Sequence, residues 1–140
     1  APVVKMHTLG HGFVPPAIHA GGLRYHGMAP SLSAFCNAGL IDAVSVKQRA
    51  TFEAAVTFAK AEGIIPAPET SHAVRVAIDE ALDAKEKGEK RTILFNLSGH
   101  GHFDLAAYES YLNSDLEDYE YPGQAIEEAM KDLPQVNMPG

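Results

Sequence analysis

The sequence has little cysteine, few basic residues and no long apolar run. Cys36 is the only cysteine, which excludes an internal disulfide and favours a reducing compartment. A membrane-spanning helix needs about 20 consecutive apolar residues, and the lack of such a run excludes a span. The 11 basic residues are outnumbered by 18 acidic ones, for a net charge of -7, which argues against a broad basic face for nucleic acid. No charged and then apolar signal segment opens the sequence, and we expect a cytoplasmic protein.

The composition is otherwise that of a soluble globular protein, with 46% apolar and 21% charged residues among 140. This length predicts one domain with a sizeable core. Three segments are expected: an irregular glycine- and proline-rich segment over 1–30, an α/β core over 31–113, and an acidic connector with a C-terminal helix over 114–140. The first segment is long for a structureless connection, so we expect it to pack near a binding site.

Helices and short apolar strands are predicted to alternate after residue 30. A helix is predicted over 31–37, because Pro30 suits its first turn and Gly39 is a natural stop. Residues 48–61 have apolar side chains three and four positions apart and are followed by Gly63, which is typical of a helix. Two further helices are predicted over 105–112 and 124–131. Thr70 or Ser71 is expected to cap a further helix. Strands are predicted over 42–46, 64–66 and 91–97, the last being a nearly continuous apolar run. This order predicts an α/β fold with a small parallel sheet and flanking helices.

Two loops that follow predicted strands carry polar side chains. Residues 66–72 follow one strand, and residues 96–104 follow the strongest strand. Because ligands in open α/β sheets bind beyond the carboxyl ends of the strands, neighbouring strands would open Glu69 and Ser98 onto one crevice. By position alone, Glu69 is also a carboxylate favoured at a helix N-terminus, and Ser98 is also an ordinary turn serine.

His100 and His102 suggest a different chemistry. With Asp104 close by and Glu69 on the other loop, a His-x-His pair could ligate zinc or another divalent ion. In a strand these two side chains would point the same way, whereas in a glycine-rich turn they need not. A divalent metal-binding domain is therefore one alternative function.

The same two loops carry recognisable motifs. Residues 62–73 have the sequence EGIIPAPETSHA and resemble the EGIIPA-x-ES-x-HA segment of the tryptophan synthase beta chain family, while residues 96–101, NLSGHG, resemble its NLSG-x-G turn. The two motifs stand in the family's order and at about its spacing. Residues 21–30, GGLRYHGMAP, and 98–104, SGHGHFD, look like the second, stand-alone type of beta chain. The resemblance covers essentially the whole sequence and indicates the C-terminal part of such a chain.

The resemblance implies the C-terminal portion of a fold type II enzyme that depends on pyridoxal 5'-phosphate (PLP) and joins L-serine to indole, giving L-tryptophan and water. By that resemblance Ser98 and Gly99 bind the cofactor, with Ser98 facing the pyridine nitrogen, and Glu69 is catalytic. A serine hydroxyl can donate to a neutral pyridine nitrogen but cannot hold it protonated. A carboxylate near the reacting carbon can move the proton that leaves with the substrate hydroxyl. Further residues expected to line the site are His100, His102 and Asp104.

The resemblance also implies a monovalent cation bound by backbone carbonyls near Phe13 and Pro15. The chain departs from the family here, because Gly12 stands where related chains usually have aspartate.

Two parts of the family's site are missing from the sequence. No lysine follows a histidine, as the family's cofactor-binding lysine does, and the GGGSN phosphate loop is absent. We therefore expect an upstream N-terminal part of the same enzyme to complete the site, and we expect this chain to be inactive alone. The resemblance also implies a homodimer. A non-catalytic assembly module of the same fold is the second alternative.

Overall fold

The regular structure of the chain is helical. The computed structural model describes residues 4–134, so the outer ends of the predicted segments 1–30 and 114–140 lie outside the described residues. A short 3-10 helix spans Gly21–Leu23. The α-helices found in the described range are α1 over Pro30–Asn37, α2 over Gln48–Glu62, α3 over Pro68–Lys87, α4 over Leu105–Leu112 and α5 over Gly123–Met130. Each helix between residues 4 and 134 is too short or too polar to cross a membrane.

Helices α1, α2, α4 and α5 confirm the predicted helices, with ends that differ by one residue at most. Local signals explain this agreement. Helix α2 ends at Gly63, whose φ of 70° is a left-handed conformation that glycine adopts without a steric penalty. The N–H of Gly63 donates to the carbonyl oxygen of Ala59 and so closes the last turn.

Helix α3 begins earlier than predicted. Its first residue is Pro68, which suits the first turn because that position needs no N–H partner, and its N-cap is Ala67. Thr70 and Ser71 therefore lie inside the helix, and the prediction that one of them caps it is wrong. Both are buried, and the Ser71 hydroxyl donates to the Ala67 carbonyl oxygen at 2.8 Å.

The predicted parallel sheet is not confirmed. Between residues 4 and 134 the only β-pairings are two isolated antiparallel bridges, Thr8 with Gly27 and Pro66 with His100. Apart from Pro66, the predicted strands 42–46, 64–66 and 91–97 have no regular secondary structure. A strand satisfies its backbone polar groups through a neighbouring strand, and the described part of the chain provides none for these residues. Leu94 is accordingly 96% exposed.

The chain forms two compact units. Within the described residues, unit A combines 4–17 with Arg24–Val44 and 120–134, and unit B combines Ile18–Leu23 with Ser45–Tyr119. Unit A contains a pairing of two irregular stretches, in which the N–H of Leu9 donates to the His26 carbonyl oxygen at 2.7 Å. The backbone of this unit is thus partly satisfied without a regular sheet.

Unit B holds a core built on aromatic rings. Phe52 of α2 is fully buried; its ring meets Tyr108 of α4 edge-on at 5.1 Å and stacks on Tyr111 at 6.0 Å between centroids. Large rings bury more apolar area than other side chains, so these contacts fix α4 against α2. Helix α2 also packs along α3. The other buried members of this core are Ala55, Ala107 and Leu116.

Candidate functional site

The two motif loops are hydrogen-bonded to each other in unit B. The N–H of Gly101 donates to the Ile65 carbonyl oxygen at 2.8 Å, and the N–H of Ala67 donates to the Gly99 carbonyl oxygen at 3.0 Å. These bonds surround the antiparallel bridge of Pro66 with His100. We call residues 65–67 and 99–101 the paired turns. The prediction expected these loops at neighbouring ends of parallel strands, whereas the structure joins them directly in an antiparallel pairing.

Gly101 allows the paired turns to approach this closely. A Cβ atom placed on it would lie 2.5 Å from the Pro66 carbonyl oxygen and 2.9 Å from the ring of Tyr108. Cβ atoms do not approach other atoms this closely in proteins, so a larger residue would push the turns apart. The Tyr108 hydroxyl donates to that same carbonyl oxygen. Burial raises the pKa of Tyr108 because it disfavours the charged form. The hydrogen bond from the neutral Tyr108 hydroxyl therefore joins the turn at Pro66 to the aromatic core.

Glu69 lies in the first turn of α3, half-buried, beside the paired turns. One of its carboxylate oxygens, Oε1, accepts a hydrogen bond of 2.9 Å from the backbone N–H of Gly22 in the 3-10 helix. A Cβ atom on Gly22 would lie 3.3 Å from Cγ of Glu69, so a small residue is favoured there. Glu69 is thus positioned at one oxygen, and its second oxygen accepts no hydrogen bond from the residues that the structure describes.

Ser98 is hydrogen-bonded to the residue that follows Glu69. Its backbone N–H donates to Oγ1 of Thr70 at 2.8 Å, and the two hydroxyl oxygens lie 2.6 Å apart. Gly99 continues the turn, and a Cβ atom placed on it would lie only 3.3 Å from the Cβ atom of Ala67. Ser98 is therefore bonded to the neighbour of Glu69 in α3, and among the described residues no hydrogen bond joins Ser98 to Glu69 itself.

The two histidines of the turn lie side by side. The rings of His100 and His102 are 4.7 Å apart between centroids, and the His102 N–H donates to Nδ1 of His100 at 3.3 Å. Asp104 is the N-cap residue of α4. Within residues 4–134, no three His, Cys, Asp or Glu side chains gather into a group that could hold a metal ion. Of the four residues of the His-x-His alternative, the structure thus brings His100 and His102 side by side.

Phe13 and Pro15, the predicted carbonyl ligands of a monovalent cation, belong to unit A. The Phe13 ring packs against Tyr121 at 4.9 Å between centroids, tilted by 50°. Its backbone N–H donates to the Gly10 carbonyl oxygen at 3.1 Å. The cation site stays a prediction.

Sequence reasoning missed two residues of this site, Thr70 and Gly22. Thr70 was assigned to a helix cap, although Pro68 at the first helical position was a signal that the helix starts earlier. Gly22 had no signal of its own, since its contact with Glu69 joins residues 47 positions apart.

The chain is similar to part of several curated proteins. No protein-family model matches it. It is 64% identical over 116 residues to tryptophan synthase beta chain 2 of Methanosarcina mazei, covering 83% of this chain and 26% of that protein. It is 64% identical over 117 residues to tryptophan synthase beta chain 2 of Aquifex aeolicus, covering 84% and 27%. It is 62% identical over 119 residues to a tryptophan synthase beta chain of Pyrococcus horikoshii, covering 85% and 26%. The chain spans about a quarter of the length of these relatives.

Proposed function

The chain is related to the tryptophan synthase beta chain family, as its motifs predict, over about a quarter of the family's length, and from this premise we propose that it forms one side of a PLP site. The proposed reaction replaces the hydroxyl of L-serine with indole and releases L-tryptophan and water. In this proposal Ser98 and Gly99 contact the cofactor, and Glu69 handles the proton. The rest of the site, including the covalent anchor for PLP and its phosphate loop, comes from the remaining length of such an enzyme.

The hydrogen-bonded link between Ser98 and Thr70, next to Glu69, is the observation that carries this proposal. It fixes the Ser98 hydroxyl at Thr70, which follows Glu69 in α3, so a hydroxyl and a carboxylate lie beside the paired turns. The donor set fits PLP, because a neutral hydroxyl can donate to a pyridine nitrogen without protonating it. When bound, PLP supplies the electron sink for β-replacement.

Glu69 is suited to moving a proton. Its Oε1 is held by the Gly22 N–H at 2.9 Å, which fixes the orientation of the carboxylate, and its other oxygen can accept or deliver a proton. A positioned carboxylate contributes about 10²–10⁴-fold to a rate as a general acid or base. The two glycines of the 3-10 helix let the backbone approach this side chain closely.

We also propose that residues 91–97 form a strand of a parallel sheet in the complete enzyme. In the described part of the chain no backbone-to-backbone hydrogen bond involves these residues, and unpaired backbone groups favour association with another strand. Ile93, Leu94 and Leu97 expose 36%, 96% and 40% of their surface. The parallel sheet would then form with strands from outside this chain, and the chain alone would be inactive. Homodimer formation and the monovalent cation stay predictions from the resemblance, and a cytoplasmic location stays a prediction from the sequence.

The proposal can be tested in a chimaera. In it, the 116 matched residues of the M. mazei beta chain are replaced by those of this chain. We expect the chimaera to form tryptophan from serine and indole. Glu69→Gln should lower turnover by about 10²–10⁴-fold while PLP still binds, because the variant keeps the shape but loses the proton-transfer group. Glu86→Gln, the same change at an exposed residue of α3 outside the two motifs, is the matched control and should leave turnover within about twofold of the parent.

Three results would argue against the proposal. Unchanged turnover in the Glu69→Gln variant would remove this residue from the chemistry. A folded, PLP-loaded chimaera without synthase activity would favour the non-catalytic assembly module. A stoichiometric divalent metal found in the purified chain by elemental analysis would favour the His100–His102 alternative.

A further inference from the structure

Thr70 contacts Ser98 in a way that constrains the Ser98 hydrogen. Thr70 is 3% exposed and lies inside the first turns of α3. Its Oγ1 accepts the Ser98 N–H at 2.8 Å and lies 2.6 Å from the Ser98 hydroxyl oxygen. The two residues are 28 positions apart, so the contact is a tertiary one between the helix start and the turn.

Counting hydrogens indicates which hydroxyl donates. Each hydroxyl carries one hydrogen and two acceptor positions, and the distance between the two oxygens allows one hydrogen between them. Thr70 already accepts the Ser98 N–H, and a buried hydroxyl needs an acceptor for its own hydrogen. Ser98 Oγ is the acceptor found for it among the described residues. With Thr70 as donor, the Ser98 hydrogen is free for an acceptor outside the chain.

We propose that Thr70 is a positioning residue that makes Ser98 a hydrogen-bond donor toward the cofactor. The inference rests on the proposed function, in which Ser98 meets a neutral nitrogen of the cofactor. Thr70 does not touch the cofactor in this scheme. The Thr70 hydroxyl donates to the Ser98 hydroxyl oxygen and accepts the Ser98 backbone N–H. The first contact leaves the Ser98 hydroxyl hydrogen available for the cofactor, and the second fixes the position of Ser98.

The test measures PLP affinity of the chimaera with four variants. Thr70→Val keeps the shape and β-branch of threonine but removes the hydroxyl, and losing one hydrogen bond predicts about a tenfold weaker PLP affinity. Ser98→Ala should weaken affinity by the same order. Because Thr70 acts through Ser98, the double variant should be no weaker than Ser98→Ala alone. Thr70→Ser restores the hydroxyl and should lie within about twofold of the parent.

Two further readouts do not depend on turnover. Without cofactor, the Ser98 amide should exchange with solvent faster in Thr70→Val and at the parent rate in Thr70→Ser, because its acceptor is lost in the first only. With cofactor, the absorption maximum of the loaded chimaera should shift in Thr70→Val and in Ser98→Ala in the same direction, and return in Thr70→Ser. A merely structural role for Thr70 would not produce that shared shift.

The outcomes separate this inference from the proposed function. If Ser98→Ala leaves PLP affinity unchanged, the assignment of Ser98 is wrong and both proposals fall. If Ser98→Ala weakens binding but Thr70→Val does not, or if the two losses add, only the role of Thr70 is wrong. Should Thr70→Val fail to fold, Thr70→Ser decides, since a tenfold loss in that folded variant would overturn the inference.

Discussion

The paired turns and residues 91–97 differ in how their backbone groups are satisfied, although the turn 99–101 lies only one residue beyond residue 97. In the paired turns, N–H groups from both partners reach carbonyl oxygens across the gap, and Tyr108 adds a side-chain donor. Residues 91–97, the open segment, make no backbone-to-backbone hydrogen bond within the described range. Both stretches were predicted to be strands or strand ends, so hydrophobicity does not distinguish them. The two stretches differ in whether the described part of the chain provides a backbone hydrogen-bonding partner.

The open segment is nevertheless attached at both ends. Arg91 pairs with Glu80 and Asp83 of α3 at 2.8 Å in each case, and Ser98 is held by Thr70. Between these ends, the Phe95 ring meets Phe58 of α2 edge-on at 5.9 Å. The segment is therefore presented beside α2 and α3 with its backbone unpaired, as a strand that awaits a neighbour would be.

The largest effect in the isolated chain is expected from filling the gap between the paired turns. Gly101→Ala places a methyl group 2.5 Å from a backbone carbonyl, so the turns must separate, and overpacking of this kind costs about 1–3 kcal/mol. Urea denaturation of the chain measures the loss. Gly12→Ala is the control, because a Cβ there meets nothing within 4 Å, and its effect should stay within about 0.5 kcal/mol. Equal effects of the two substitutions would show that the pairing is loose.

A smaller effect is expected from removing the Tyr108 hydroxyl. Tyr108→Phe loses the donor to the Pro66 carbonyl oxygen, which costs about 1–1.5 kcal/mol for one buried hydrogen bond. Tyr111→Phe, in the same aromatic core, is the matched control for removal of a phenol hydroxyl. If both substitutions lower the free energy of unfolding equally, the hydrogen bond to Pro66 contributes no more to stability than an ordinary phenol hydroxyl.

The pH dependence of Tyr108 gives an independent check. Burial raises the pKa of Tyr108 in the folded chain, so the folded state keeps its proton at pH values where the unfolded state loses it. The resulting stabilisation is complete below the unfolded pKa of about 10 and is lost as pH rises from there through the folded pKa. The parent should lose stability in that alkaline window, and Tyr108→Phe should lose less of it.

Helix positions were predictable from the sequence because their signals are local. Pro30 and Pro68 favour helix starts, and Gly63 stops α2 through its own backbone angle. The error at Thr70 came from preferring a capping residue to a proline two positions earlier. Strands have no comparable local signal, since their hydrogen bonds belong to partners elsewhere in sequence or in another part of the protein.

The residue types of the candidate site could be proposed from the sequence, whereas the contacts between those residues could not. The motifs indicated Glu69 and Ser98, and the structure places the two loops side by side. Neither the Gly22 N–H on Glu69 nor the Thr70 hydroxyl on Ser98 followed from the sequence, because each contact joins distant positions through geometry. Residue type predicts which chemistry is possible, whereas orientation depends on the packing of α3 against its neighbours.

The smallest effect in the isolated chain is expected at the centre of the open segment. Leu94 is 96% exposed, so Leu94→Ala should change the free energy of unfolding of the 140-residue chain by no more than about 0.5 kcal/mol. In the full-length chimaera the same substitution should cost about 2–5 kcal/mol, the usual range for a buried leucine, because the segment is then covered by a neighbouring strand. Glu86→Ala, at an exposed residue of α3, controls for the change of background and should be small in both proteins. A small effect of Leu94→Ala in both would mean that the open segment is a surface loop, and the proposed sheet would then have to form without it.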